Sequence, residues 1–184
     1  VSRSNYLPRF LNSLLIAGGS TLLSVGLGVM AAYAFSRFRV PGKDDLMFFI
    51  LSTRMMPPIA VAIPIYLMYR TLGLTDTWAG MVILYTAVNV SLAVWLMKGF
   101  MDEIPREYEE AALVDGCTRW QSLYKVIIPI SLPGMLTVTL FSFLLAWSDF
   151  VFPMIITSDD ATRTVLYGLT QISDTYNADW GVLM

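Results

Sequence analysis

The chain has 184 residues, 56% of them hydrophobic and only 14% charged, and its mean hydropathy is +0.62. A soluble domain carries about 25% charged residues, so this composition points to a bilayer protein. A formal charge of −2 gives no basis for nucleic-acid binding, the absence of histidine excludes a histidine triad and a His-ligated metal site, and the single Cys117 excludes an intrachain disulfide.

The opening "VSRSNYLPRF" has no initiator Met and lacks the basic, apolar, small-residue order of a signal peptide. A spanning helix needs roughly 20 mostly apolar residues, since about 30 Å of hydrocarbon is crossed at 1.5 Å per residue. Four stretches qualify, at about Leu11–Phe35, Leu46–Tyr69, Ala79–Met97 and Ile130–Ile156. In the first, Ser20, Ser24, Gly28 and Ala32 recur every fourth residue, a stripe of small side chains where two helices can approach closely. The alternative is that such residues are simply common in membrane helices.

The second stretch holds "RMMPP" and Pro64, which predicts a kink or break near Pro57–Pro58 and a place inside a bundle, where freed carbonyls find partners. Arg54 beside the break costs about 3 kcal/mol to insert and should face a cavity, a carboxylate or a helix interface. In the third stretch, Asn89 fits a helix–helix hydrogen bond better than a ligand group. Asp149, in "AWSDFVFP" of the fourth, is another intramembrane charge without an obvious partner. Arg54, Asn89 and Asp149 are candidates to line a polar pathway. The competing reading has Arg54 paired structurally or snorkelling and Asp149 near the outer surface.

Basic residues favour two connections. Ser36–Asp45 carries Arg37, Arg39 and Lys43, and Lys98–Lys125 carries Lys98, Arg106, Arg119 and Lys125. The connection 70–78 has only Arg70, and the tail 157–181 only Arg163. By the positive-inside rule the first two lie in the cytoplasm, although Arg3 and Arg9 weaken the contrast. The chain closes on "DWGVLM", where a new apolar stretch begins, as expected of a piece of something longer.

The polar insert of 98–129 reads as two short helices. Pro105 suits a first helical position, Glu107, Glu109 and Glu110 suit the positive end of a helix dipole, and Asp115-Gly116 suits a left-handed stop. Thr118 and Gln121 have capping-box spacing, and Trp120, Leu123, Tyr124 and Ile127 fall on one helical face. Too short for a domain and too ordered for a linker, this knob suits a groove on another protein, with Ala111 and Ala112 allowing close approach and the carboxylates meeting a basic partner. The alternative is a helix lying on the membrane, which its acidity disfavours.

The stretch "EEAALVDGCTRWQSLYKVIIP" resembles the EAA loop of inner-membrane permease subunits of ABC importers, a pattern of Glu-Ala-Ala, three residues, Gly, nine residues and Ile-x-Leu-Pro. Glu110, Ala111, Ala112, Gly116 and Pro129 match, and Val126 and Ile128 substitute conservatively. "NSLLIAGGSTLLSVGLGVMAAYAFSRFRVPG", "MMPPIAVAIPIYLMYRTLGLTDTWAG", "FMDEIPREYEEAALVDG" and "FSFLLAWSDFVFPMIITS" are similar to segments of the MalG-like sugar-importer branch. Arg54, where that branch often has an uncharged polar residue, and Ser148-Asp149, in place of a frequent Asn-Glu, depart from it.

The resemblance implies an all-α polytopic transmembrane helical bundle of the type I, MetI-like permease class, with four of six spans visible in one permease domain over 1–184. It implies a multi-pass subunit of a bacterial or archaeal plasma (inner) membrane, importing a sugar, oligosaccharide or polyol. Implied partners are a homologous permease subunit, two cytoplasmic ATP-binding subunits, an extracytoplasmic substrate-binding protein and membrane lipid, with no nucleic acid. The implied ATPase-coupling residues are Glu109, Glu110, Ala111, Ala112, Asp115 and Gly116. No cofactor or metal belongs to the chain itself, and it has no Gly-x-x-x-x-Gly-Lys-Ser/Thr loop, so ATP would be bound and hydrolysed by the partners and the chain would not be an enzyme. A permease for a non-sugar solute and a membrane scaffold without transport are the alternatives. An intramembrane hydrolase is disfavoured, because Lys98 and Lys125 both fall at the expected cytoplasmic edge.

Overall fold

A computed structural model describes residues 6–157 and 164–166. Arg3, Arg163 and the closing "DWGVLM" lie outside the described residues. The described chain forms helices α1 (Tyr6–Arg37), α2 (Lys43–Thr53), α3 (Pro58–Leu72), α4 (Trp78–Asp102), α5 (Glu107–Val114) and α6 (Arg119–Ser122), a π-helical turn (Leu123–Ile127), then α7 (Ile128–Ile130), α8 (Leu132–Trp147) and α9 (Val151–Ile156). Among the described residues α1 and α4 are long and apolar enough to cross a membrane alone. Up to four crossings result if α2 with α3, and α6–α7 with α8, are each one broken span.

The chain divides into two compact units, one of residues 1–20, 56–85 and 143–184, the other of 21–55 and 86–142. In the second unit α1, α4, the π turn and α8 share a core of Val25, Val29, Ala32, Tyr33, Ala93, Met97, Met101, Ile104, Leu123, Ile127 and Val138. The small-residue stripe makes this packing possible. Ser24 and Ala32 are fully buried, and a Cβ on Gly28 would lie 2.6 Å from the Ala93 Cβ. Ser24 returns its hydroxyl to the Thr21 carbonyl at 3.1 Å, so burying it costs little. Where α8 begins, Gly134 meets the Phe100 ring with the same closeness.

The first unit is tied together by hydrogen bonds and ring contacts of its own. Thr77 caps α4 by accepting from the Gly80 N–H at 3.0 Å, and Tyr69 donates to the Gly80 carbonyl at 3.1 Å. The Asp76 N–H donates to the Ile156 carbonyl at 3.2 Å, fastening the turn after α3 to the end of α9. Trp147 stacks on Phe143 and meets Phe10 edge-on.

The break expected near Pro57–Pro58 lies at residues 54–57, with Pro58 opening α3 and Pro64 inside it. Within this chain, however, α3 buries only Ala62 and Tyr69 and leaves Ile59, Ile63 and Leu67 exposed. The last apolar stretch is interrupted as well, since α8 stops at Trp147 and α9 restarts at Val151.

Candidate functional site

The polar insert folds as two short helices joined at Gly116. The Glu109 and Glu110 N–H groups both donate to the Arg106 carbonyl at 3.0 Å, so α5 begins at Glu107 and Pro105 stands just ahead of it. Pro105 is thus not the first helical residue. At the other end, the Cys117 N–H donates to the Ala112 carbonyl at 3.0 Å and the Gly116 N–H to the Leu113 carbonyl at 3.1 Å, with Gly116 at φ +85°. These two bonds form a Schellman stop, which needs a left-handed residue and so favours glycine. The capping box is complete, because Thr118 Oγ1 accepts from the Gln121 N–H at 3.3 Å and Gln121 Oε1 from the Thr118 N–H at 2.8 Å.

Beyond α6 the π turn alters the expected single face. Leu123 and Ile127 enter the core, whereas Trp120 is 69% and Tyr124 55% exposed. The chain then bends by 75° between α6–α7 and α8, at Ser131.

The six residues expected to couple to a partner separate into two groups. Glu110, Ala111, Asp115 and Gly116 are exposed, beside Val114 at 87% exposure. Glu109 and Ala112 are buried within the chain. Glu109 points at the end of α1: its Oε1 accepts from the Tyr33 hydroxyl at 2.5 Å, and its Oε2 lies 3.2 Å from Arg37 Nε. Arg119 Nη1 approaches Oε1 at 3.5 Å, from a side chain that is itself largely exposed. A carboxylate can be buried at tolerable cost only when paired and hydrogen-bonded in this way. A small cavity of about 160 Å³ beside it is walled by Arg37, Arg106, Glu109, Glu110, Leu113 and Arg119. Sequence reasoning counted Arg37 only among the basic residues of the first connection and assigned no role to Tyr33. The available signal was an arginine at the end of a span, with Asp44 and Asp45 the nearest acids in sequence.

Of the three pathway candidates, Arg54 and Asn89 come together. Arg54 Nη1 donates to Asn89 Oδ1 at 3.2 Å and to the Val88 carbonyl at 3.1 Å. Asn89, almost fully buried, donates in turn to the Ser142 carbonyl at 3.3 Å. The helix break at residue 54 is thereby linked to α4 and α8. Asp149 belongs to the other unit and has the partner that the sequence did not reveal: the Tyr85 hydroxyl donates to its Oδ2 at 2.8 Å. Its carboxylate also accepts from the Val151 and Phe152 N–H groups, at 3.4 and 3.3 Å, and so caps the start of α9. Among the described residues no three His, Cys, Asp or Glu side chains gather as a metal site.

Comparison with known proteins bears on this arrangement. The chain is 37% identical over 154 residues to the trehalose transport system permease protein SugB of Mycobacterium tuberculosis, covering 84% of this chain and 56% of that protein. It is 30% identical over 172 residues to the sulfoquinovosyl glycerol transport system permease protein SmoH of Agrobacterium fabrum, covering 94% of this chain and 60% of the relative. The chain thus spans about three fifths of the length of these relatives. The fold matches a chain from the crystal structure of a bacterial ABC transporter involved in the import of the acidic polysaccharide alginate, at TM-score 0.81 and 27% identity, over 95% of this chain and 61% of that one. Residues 24–184, which include the two-helix insert, both broken spans and α4, match the family model, and the chain accordingly belongs to the binding-protein-dependent transport system inner membrane components.

Proposed function

We propose that the chain belongs to a permease subunit of an ATP-driven importer in a bacterial or archaeal inner membrane, and that its insert docks on a cytoplasmic ATPase subunit. The observation that carries the docking reading is the two-sided insert. One side is anchored inward through Glu109, Leu123 and Ile127, and the other offers Glu110, Ala111, Val114 and Trp120 to solvent. An exposed acidic and apolar face on a support stopped at Gly116 and capped at Thr118 suits a partner groove that has basic residues at its edge. Ala111 permits close seating there, and Gly116 makes the bend that presents α5 and α6 together.

In this reading a second, homologous permease subunit completes the translocation pathway and covers faces such as that of α3. Two ATPase subunits bind and hydrolyse ATP, and a binding protein delivers solute from outside. All three pathway candidates are engaged within the chain, and the half-buried Arg54 and Asp149, not the almost fully buried Asn89, are the ones proposed to face a pathway. The substrate class proposed is a sugar, oligosaccharide or polyol, supported by the transport of trehalose by the SugB system, of sulfoquinovosyl glycerol by the SmoH system and of alginate by the structurally similar importer. Measuring which solute the cognate binding protein captures tests that class, and capture of amino acids or metals alone would reject it.

Glu110→Arg and Gly116→Leu test the docking. Both variants should insert normally, while substrate-stimulated ATP hydrolysis in the assembled complex falls by roughly tenfold or more, as expected for loss of a charge-assisted contact or of the bend. Unchanged stimulation in either variant would sink the assignment.

A further inference from the structure

The last turn of α1 is bound to the insert by side chains, while the backbone connections of the insert are interrupted. On one side, α4 ends at Asp102 and the chain turns through Ile104-Pro105 before α5. On the other, the π turn and the 75° bend at Ser131 stand before α8. A displacement of the insert could be absorbed at either interruption. The end of α1, by contrast, is gripped at several points. Ser36 donates to Asp102 at 2.6 Å, Arg37 to the Ile104 carbonyl at 3.0 Å, and Arg106 to the Ser36 carbonyl at 3.2 Å. The Arg119 guanidinium lies 5.4 Å above the Phe38 ring. At the centre is Glu109, its side chain 6% exposed, held by Tyr33 and by an Arg37 side chain only 4% exposed.

We propose that Glu109 is a positioning residue, a buried strut that makes the insert and the end of α1 move as one body. Motion imposed on the outward face of α5 then enters the first span directly and is not dissipated at the two backbone interruptions. The proposal rests on the docking reading, and it assigns Glu109 a different task from its neighbour: Glu110 faces the partner, and Glu109 passes the displacement inward. Two features favour a strut over simple core filling. The group is ionic where an apolar side chain would fill the same space, and both of its principal partners lie on a single helix turn 76 and 72 positions earlier in the chain.

The test uses the full-length subunit assembled with its partners in proteoliposomes. Glu109→Gln keeps the size of the side chain and an acceptor for Tyr33 but loses the attraction to both arginines. The expected result is normal co-purification of the ATPase subunits with solute transported per ATP reduced by roughly tenfold, since charge-assisted contacts are lost. A second variant removes any ambiguity from folding. With Arg37→Cys and Glu109→Cys in a Cys117→Ser background, a short bifunctional thiol cross-linker should restore coupling toward that of the Cys117→Ser parent. Coupling at the parent value in Glu109→Gln, or cross-linking that arrests transport, would overturn the strut while leaving docking at Glu110 intact. Failure of the unmodified subunit to retain ATPase subunits would overturn the docking reading, and the strut with it.

Discussion

Gly28 and Gly26 lie on the same helix, two positions apart, and their surroundings give opposite expectations for substitution. A Cβ at 28 would sit 2.6 Å from the Ala93 Cβ and 3.0 Å from its backbone carbon, whereas nothing stands within 4 Å at 26. Gly28→Val should destabilise the protein by about 1–3 kcal/mol through overpacking. Gly26→Ala should be neutral or stabilising by up to about 1 kcal/mol, because it removes unfolded-chain freedom without a clash. Thermal unfolding of both variants in detergent checks the pair, and equal midpoints would refute the close α1–α4 approach. This stripe was legible in the sequence because it depends on spacing along one helix. The inward turn of Glu109 was not, since Glu109 and Glu110 are chemically alike and the choice between them is made by Tyr33 and Arg37 on α1. Asp149 failed to declare its partner for the same reason: Tyr85 is 64 positions away.

At the scale of elements, the insert was the most readable part of the chain, because caps and stops are local chemistry. The Schellman stop at Gly116 and the box of Thr118 and Gln121 both form where the residue types demand them. Thr118→Ala removes the acceptor for the Gln121 N–H and should weaken the start of α6 by about 1 kcal/mol. Hydrogen exchange is the measurement, with protection lost over residues 119–122 and retained over α5. Uniform loss across both helices would show that they open as one unit. The π turn was not readable, because its extra residue is a compromise between the α6 start and the demand that Leu123 and Ile127 both reach the core. The split between α8 and α9 was equally hidden inside an apolar run, although Asp149 followed by Phe150-Val151 is in retrospect a helix start.

For the whole molecule, the positive-inside bias expects residues 36–45 and 98–125 on the same side of the membrane, and direct bonds join the two stretches. Arg106 donates to Ser36, and Arg119 lies over Phe38. Native Cys117 and a Val40→Cys variant should therefore react with an impermeant thiol reagent only from the cytoplasmic face. In a Cys117→Ser background, Thr75→Cys should react only from outside, because the connection 70–78 carries only Arg70 and the positive-inside bias puts it on the other side from residues 98–125. Labelling of positions 75 and 117 from one face would reject this orientation. Composition and helix length made the membrane class legible. They could not show which helix faces would remain uncovered within the chain, because the exposed side of α3 carries the same apolar residues as a buried one.

The Tyr33–Glu109 bond also sets an order in biosynthesis. Its partners lie 76 positions apart, so at about 5–20 residues per second the end of α1 waits roughly 4–15 s on the ribosome for its carboxylate. Until then Arg37 stands without Glu109, a cation that the positive-inside rule expects at the cytoplasmic edge of a freshly inserted helix. By that rule the same arginine would help to hold the orientation of α1 in that interval, before it joins the interior. On that expectation a single side chain serves first as a topology signal and later as part of the packed protein.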